Sequence, residues 1–328
     1  MQTGNADQVL PPDERKIRAI NQATVVDQQL VSATSWFTVA RFGFRRQFLR
    51  YFWGKPPLWR ILLRMRALNQ RMVPTFASLG APRSGTTLLS DYIMQHPCVV
   101  LPLAKEIGAS GVAAFRLITA QFPTLREAAK VEREYGTAIT GYCTPIIPSL
   151  MFPFTAMAVT RQLKFIILLR NPVDRTYSHW RWDTFVCARL LEDPLWAFRP
   201  DFAEVARVEL EAARWMAGSG LTLVTGANCG GYLQHSIYLP FLKLLFRHYD
   251  KSNAIFINSD DFFSDRIATA KRIYGFLGLP EYDPVELPVR NASPSGKMPQ
   301  ETRQMLVEFF DPLNRELYEY IGEDFGWR

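Results

Sequence analysis

The sequence predicts an α/β protein built on a mainly parallel, P-loop-type sheet with helices on both faces. Three observations carry that expectation. Short apolar runs alternate with amphipathic stretches from Thr75 to Phe310, and this order builds parallel strands joined by crossover helices. The run Phe76-Ala-Ser-Leu-Gly80 ends in a turn bracketed by Gly and Pro and passes directly into an amphipathic stretch. The run Lys164-Phe-Ile-Ile-Leu-Leu-Arg170 is likewise broken by Asn171-Pro172 before the next helix. Ligands of such sheets gather beyond the carboxyl ends of the strands, where both turns fall. With 328 residues, 48% of them apolar, the chain can bury a full core. One α/β domain plus an appended segment fits that length better than two equal domains, and no internal repeat is evident.

The elements follow in order. Residues 1–72 read as a polar amino-terminal arm followed by basic aromatic helices, and 73–328 as the α/β domain. Strand Thr75–Leu79, loop 80–86 and helix Thr87–Gln95 form the first βα unit, with a short strand expected at Val99–Leu101. Helices are expected around Gly111–Ala120 and Leu125–Tyr135. The stretch Tyr135–Thr160 is uncharged for 26 residues, long enough to cross a bilayer, but Pro145, Pro148 and Pro153 interrupt it. It reads as buried loop and short helix. Strand Phe165–Leu169 and its helix come next, then helix Asp201–Met216, a glycine-rich loop Ser219–Gly231 bordering an acceptor cleft, and helix Tyr232–Tyr249. Strand Ala254–Asn258 and helices Ile267–Leu277 and Pro299–Phe310 complete the domain.

The first turn has the composition of an anion cradle. Gly80 and Gly85 let it expose backbone N–H groups, and the following helix directs its own free N–H groups and positive dipole end at the same point. The two glycines have the spacing of a nucleoside-triphosphate loop, yet Thr86 stands where the lysine of that motif is required. The cation within the loop is Arg83. At the second turn Arg170 closes a strand, with Arg175, Tyr177, Ser178 and Trp180 on the helix beyond. Each motif alone also reads as an ordinary capped helix start or a surface charge; the ordered set argues otherwise.

Together, Pro82-Arg-Ser-Gly-Thr-Thr87 and Leu169-Arg-Asn-Pro-Val-Asp-Arg-Thr-Tyr-Ser178 resemble the two nucleotide motifs of sulfotransferases that use 3′-phosphoadenosine 5′-phosphosulfate (PAPS). The tail from Phe309 to Trp327 and Phe276-Leu-Gly-Leu279 are similar to Golgi-type glycan sulfotransferases of the heparan sulfate kind, so the resemblance spans about Thr75 to Arg328. It implies the sulfotransferase fold, with PAPS as donor and adenosine 3′,5′-bisphosphate as product. It implies a first loop (Arg83, Ser84, Gly85, Thr86, Thr87, Leu88) gripping the 5′-phosphosulfate, with Arg170 and Ser178 on the 3′-phosphate. No metal is implied. Arg83 occupies the place of a catalytic lysine in many relatives, and here the loop is similar to that of tyrosylprotein sulfotransferases. Arginine stays protonated, so Arg83 can stabilise the leaving phosphate but does not readily donate a proton to it.

For the acceptor hydroxyl, the resemblance implies Glu106, in Lys105-Glu106, as general base. A surface salt bridge with Lys105 is the bland alternative. His179 is the rival base, and its place on the nucleotide helix suits packing or cofactor contact. Gly296-Lys297 resembles the late loop that closes over PAPS. The implied acceptor is a hydroxyl of a carbohydrate or glycolipid. A protein tyrosine or a small hydroxylated metabolite is the alternative, with a P-loop kinase the more distant one. A noncatalytic membrane-binding protein on this fold is disfavoured by intact Arg83, Glu106, Arg170 and Ser178.

The formal charge of +7 is local. From Gln28 to Ser90 there are ten Lys/Arg and no acidic residue, which leaves the remainder at −3. Nucleic acid is therefore not an expected partner. The excess lies in Trp36–Trp53 and Leu58–Leu68, where arginines recur among aromatics as in a helix on an anionic membrane surface. Peripheral membrane contact through 34–68 is one expectation; an arm packed on the domain, or on a second subunit of a homodimer, is the other. The first thirty residues contain Asp7, Asp13, Glu14 and Asp27 and lack an apolar signal core. That suggests a cytoplasmic enzyme of bacterial or algal type, the alternative being a Golgi-type enzyme with its anchor removed. Cys98, Cys143, Cys187 and Cys229 are widely separated, which argues against structural zinc and does not indicate a disulfide.

Overall fold

A computed structural model describes residues 58–105, 107, 114–144, 160, 162–182, 184, 201–219, 231–289 and 296–327. Its centre is a four-stranded sheet in the order β2-β1-β3-β4: β1 is Phe76–Gly80, β2 Gly141–Thr144, β3 Lys164–Leu169 and β4 Ala254–Asn258. Every pairing is parallel, with Phe76 opposite Gly141 and Lys164, and Phe165 opposite Ala254. The mainly parallel α/β fold expected from the sequence is the fold observed.

Strand alternation divides the core. Ala77, Leu79, Phe165, Ile167 and Leu169 face one layer, packed against Phe122, Tyr238, Leu242 and Leu245. Phe76, Ile166 and Leu168 face the other, against Leu89, Tyr92, Ile93, Ile273 and Tyr274. Because both faces are covered, β1 and β3 read as mostly apolar runs, without polar alternation. A third cluster of Val173, Trp180, Phe202, Leu210, Leu306 and Phe310 seats the later helices.

The helices are α1 Leu58–Arg64, α2 Thr86–Gln95, α3 Ala114–Thr119, α4 Leu125–Tyr135, α5 Pro172–Arg181, α6 Phe202–Ser219, α7 Leu239–Leu245, α8 Ser259–Ser264, α9 Arg266–Leu277 and α10 Gln300–Ile321. Helix α4 starts at a capping box: Thr124 Oγ1 accepts from Glu127 N at 3.1 Å while Glu127 Oε2 accepts from Thr124 N at 2.6 Å. Residues 58–72 dock beside this cap. Met72 N donates to Pro123 O at 2.8 Å, Arg71 bridges to Thr124, and Arg64 Nη2 donates to Phe122 O at 3.1 Å.

Four sequence expectations are corrected. The helix expected over Tyr232–Tyr249 is broken into a 3-10 turn at Gln234–Ser236 and α7, which begins with Pro240 in its first turn. Proline cannot donate to the preceding turn, so the chain restarts there. Val99 forms an isolated parallel bridge to Ile139 instead of a strand. The stretch read as buried loop supplies edge strand β2. Helix α10 runs past Phe310, through Pro312, to Ile321, because Asn314 and Leu317 are buried and hold the far side of the proline.

Candidate functional site

The first turn joins β1 to α2. A Cβ on Gly80 would fall 2.3 Å from Thr86 Cγ2 and 3.2 Å from Leu168 O, so the close approach of α2 to the sheet requires glycine here. Gly85 has φ 96° and a Cβ there would meet Phe263 Cζ at 2.8 Å. Arg83 also lies in the left-handed region, at φ 72°. Non-glycine residues persist there only when their surroundings hold them, and such positions cluster at ligand clamps.

What holds Arg83 comes from the second motif. Arg170, at the carboxyl end of β3, donates through Nη1 to Arg83 O at 2.7 Å. Arg175 on α5 donates through Nη1 to Pro82 O at 3.3 Å. Two guanidiniums therefore grip consecutive carbonyls of the first loop. Arg175 is wholly buried; it also donates to Ser236 Oγ at 2.6 Å and to the Tyr232 carbonyl. Ser84 is fixed from the start of α8, its carbonyl accepting from Ser259 Oγ at 2.8 Å. The Arg83 guanidinium lies 4.2 Å from the centroid of the Trp182 ring, a cation–π distance.

At the start of α2, Leu89 N donates to Gly85 O at 3.0 Å, and no side chain caps the helix. The N–H groups of Gly85, Thr86, Thr87 and Leu88 therefore have no intrahelical acceptor. Lys105 Nζ donates to Thr87 Oγ1 at 3.0 Å, which brings an ammonium to the same helix start. A glycine-shaped turn, unpartnered N–H groups and surrounding cations together fit an anionic group such as a phosphosulfate.

The second motif extends along α5. Ser178 is buried on that helix. Gly296 packs so closely on α5 that a Cβ would fall 2.2 Å from Arg181 Nη1, and Tyr177 Oη donates to Lys297 O at 3.1 Å. The late Gly296-Lys297 turn is thus brought onto the helix that carries Ser178. Asp260 sits nearby: burial raises its carboxyl above the ordinary value, opposed by the charge of Arg170. His179 is buried, its Nδ1 3.4 Å from Arg175 Nη1 and its ring edge-on to Tyr232. Glu106 lies outside the described residues, as do Cys187 and Cys229. Cys98 and Cys143 are buried. Burial pushes Cys143 up to about 11, against hydrogen bonds from Ser90 and Ser78 and the charge of Lys105.

Sequence reasoning does not reach the contacts that Lys105, Arg175 and Trp182 make with the first loop and α2. Lys105 was weighed only as a salt-bridge partner of Glu106, and nothing local shows that its ammonium reaches α2. Arg175 lies inside the motif that ends at Ser178, where position is the available signal; Trp182 lies four residues beyond it.

The sulfotransferase domain family model matches residues 77–294. That span covers both turns, all four strands and the helices between them. The chain therefore belongs to the sulfotransferase family, enzymes that move a sulfuryl group to an acceptor. Among curated proteins it is 22% identical over 293 residues to mouse heparan sulfate glucosamine 3-O-sulfotransferase 3B1, covering 79% of this chain and 66% of that protein. It is 21% identical over 325 residues to the membrane-associated sulfotransferase kil1 of Dictyostelium discoideum, covering 78% and 67%. The chain thus spans about two thirds of the length of these relatives. Among solved structures, a sulfotransferase from Alicyclobacillus acidocaldarius superposes with a TM-score of 0.52 at 22% identity, over 76% of this chain and 96% of that one, which supports the same fold.

These relatives correct one expectation. The cytoplasmic placement inferred from the amino-terminal residues does not stand, because a membrane-associated sulfotransferase and heparan sulfate enzymes are what the chain matches. Among the described residues no helix is long and apolar enough to cross a membrane.

Proposed function

We propose that this sulfotransferase moves the sulfuryl group of PAPS to a hydroxyl of a carbohydrate or glycolipid. The observation that carries the reading is the uncapped start of α2, where four N–H groups meet the loop of Arg83 and the ammonium of Lys105. When bound, PAPS supplies an activated sulfuryl group on a phosphate leaving group. Gly85, Thr86, Thr87 and Leu88 hold its 5′ end through backbone N–H groups, and Arg170 and Ser178 hold the 3′-phosphate. Arg170 has five N–H donors, and among the described residues its hydrogen bond is that of Nη1 to Arg83 O, which leaves donors for this.

The remaining chemistry falls to charge and proton handling. Arg83 stabilises negative charge on the departing phosphate and, always protonated, keeps its proton. Lys105 adds a second cation through its bond to Thr87. Glu106, the next residue in the chain, takes the proton from the acceptor hydroxyl as oxygen attacks sulfur. In-line alignment of the two oxygens supplies much of the rate. A carbohydrate acceptor is supported by the names of the heparan sulfate relatives. A tyrosine acceptor is the second reading, favoured by Arg83 within Pro-Arg-Ser-Gly-Thr-Thr.

The test is a panel of glycans, glycolipids, tyrosine peptides and small alcohols incubated with radiolabelled PAPS. Label transfer to a sugar hydroxyl is the expected outcome, and transfer to tyrosine alone replaces the acceptor. Tight binding of ATP with none of adenosine 3′,5′-bisphosphate overturns the donor.

A further inference from the structure

Helix α1 and the turn after it present one side to the domain and the other to solvent. Ile61 is buried and Arg64 is hydrogen-bonded to Phe122 O, so these residues define the inner face. On the outer face Trp59 is 61% exposed, Leu62 51% and Leu63 52%. Val73 and Leu125 join the same corner. Val73 follows Met72, bonded to Pro123 O, while Leu125 follows Thr124, bridged to Arg71. Five of the ten large apolar residues exposed among the described ones thus fall on this segment and on the start of α4 beside which it docks, more than the scatter of single exposed leucines that needs no explanation.

The charges around this patch have one sign along the leading segment. Residues 58–71 carry Arg60, Arg64, Arg66 and Arg71 and no acidic side chain, and Arg60 and Arg66 are exposed beside the apolar residues. A tryptophan and leucines interleaved with outward arginines match an interfacial contact, in which apolar side chains enter the acyl boundary and guanidiniums meet anionic headgroups. The preceding stretch is an electrostatically poor cover for the patch, because Arg41, Arg45, Arg46 and Arg50 give it the same sign.

We propose that the outer face of α1, with Val73 and Leu125 at its edge, docks this enzyme on an anionic lipid bilayer. The contact holds the catalytic domain at a membrane surface through residues that play no part in its chemistry.

The experiment is flotation of the full-length chain with vesicles of phosphatidylcholine alone or mixed with phosphatidylglycerol. The variants are Trp59→Ser/Leu62→Ser/Leu63→Ser and Arg60→Gln/Arg66→Gln. All five side chains are exposed, so thermal stability should match wild type and separate lost docking from lost folding. Wild type should float only with anionic vesicles and come off as salt rises, since headgroup attraction is screened. The apolar triple variant should partition at least about tenfold more weakly, and the arginine pair should weaken binding and flatten the salt dependence. Absence of wild-type flotation overturns the proposal, as does a triple variant that floats normally. A wild-type dimer that the triple variant splits into monomers also overturns it, because a second copy then covers the patch.

Discussion

The contact between Gly80 and Thr86 gives the sharpest test of how the anion turn is built. In Gly80→Ala the new Cβ would fall 2.3 Å from Thr86 Cγ2. Carbon atoms settle near 3.5–4.0 Å, so the two must part by at least about 1.2 Å. Thr86 is the first residue of α2 and one of the proposed N–H donors, so the displacement falls on the cradle itself. Overpacking of this kind costs about 1–3 kcal/mol in stability. Adding Thr86→Ser removes the clashing methyl and keeps the hydroxyl. Rescue should be partial, because the Cβ still lies 3.2 Å from Leu168 O, which belongs to the sheet and cannot swing away. A double-mutant cycle should therefore return a favourable coupling of about 1 kcal/mol or more, both in chemical denaturation and in calorimetric affinity for adenosine 3′,5′-bisphosphate. Strict additivity would refute the reasoning, since it would mean that the Gly80 side of the turn does not bear on Thr86.

Three further outcomes are expected. Arg170→Ala should weaken adenosine 3′,5′-bisphosphate by roughly 1.5–3 kcal/mol and adenosine 5′-phosphate by less, the smaller loss coming from the freed Arg83 carbonyl; equal losses place Arg170 away from the 3′-phosphate. Glu106→Gln should cut turnover about 10²–10⁴-fold with nucleotide affinity nearly unchanged, while His179→Ala keeps most chemical activity; the reverse pattern moves the base to His179. Thr124→Ala should cost about 1 kcal/mol through loss of the cap. Burial alone would raise the Glu127 carboxyl, but hydrogen bonds from Thr124 and the charges of Arg64 and Arg71 outweigh it and lower it. A lowered carboxyl stabilises the fold above its unfolded value and loses that contribution as pH falls through the folded one, so Thr124→Ala should flatten the fall in urea midpoint between about pH 6 and pH 3.

What could be read from the sequence followed burial on both faces. Strands β1, β3 and β4 are mostly apolar runs, and they fell within a residue of their expected limits. Strand β2 is only four residues, and the proline-rich stretch around it hid its pairing with β1. The long helix expected over Tyr232–Tyr249 had the right periodicity, and Pro240 overrode it. At the site, the strand-end place of Arg170 was legible, but not its bond to Arg83 O, and the glycines announced themselves because their roles are local to the backbone. Lys105 and Arg175 did not. Their roles depend on where a long side chain ends after folding, and an arginine in a helix ordinarily reads as solvated surface.

The paired grip of Arg170 and Arg175 on the carbonyls of Arg83 and Pro82 carries a consequence for turnover. A left-handed arginine costs on the order of 1–2 kcal/mol, and that cost is met when the chain folds, by donors the protein itself supplies. A nucleotide bound here as proposed would not have to shape this loop, so its binding energy would not be diverted into ordering it. The same holds at the end of the cycle. On the proposed reading, spent nucleotide would leave a loop already held by Arg170 and Arg175, and exchange for fresh donor would need no remodelling step at this position.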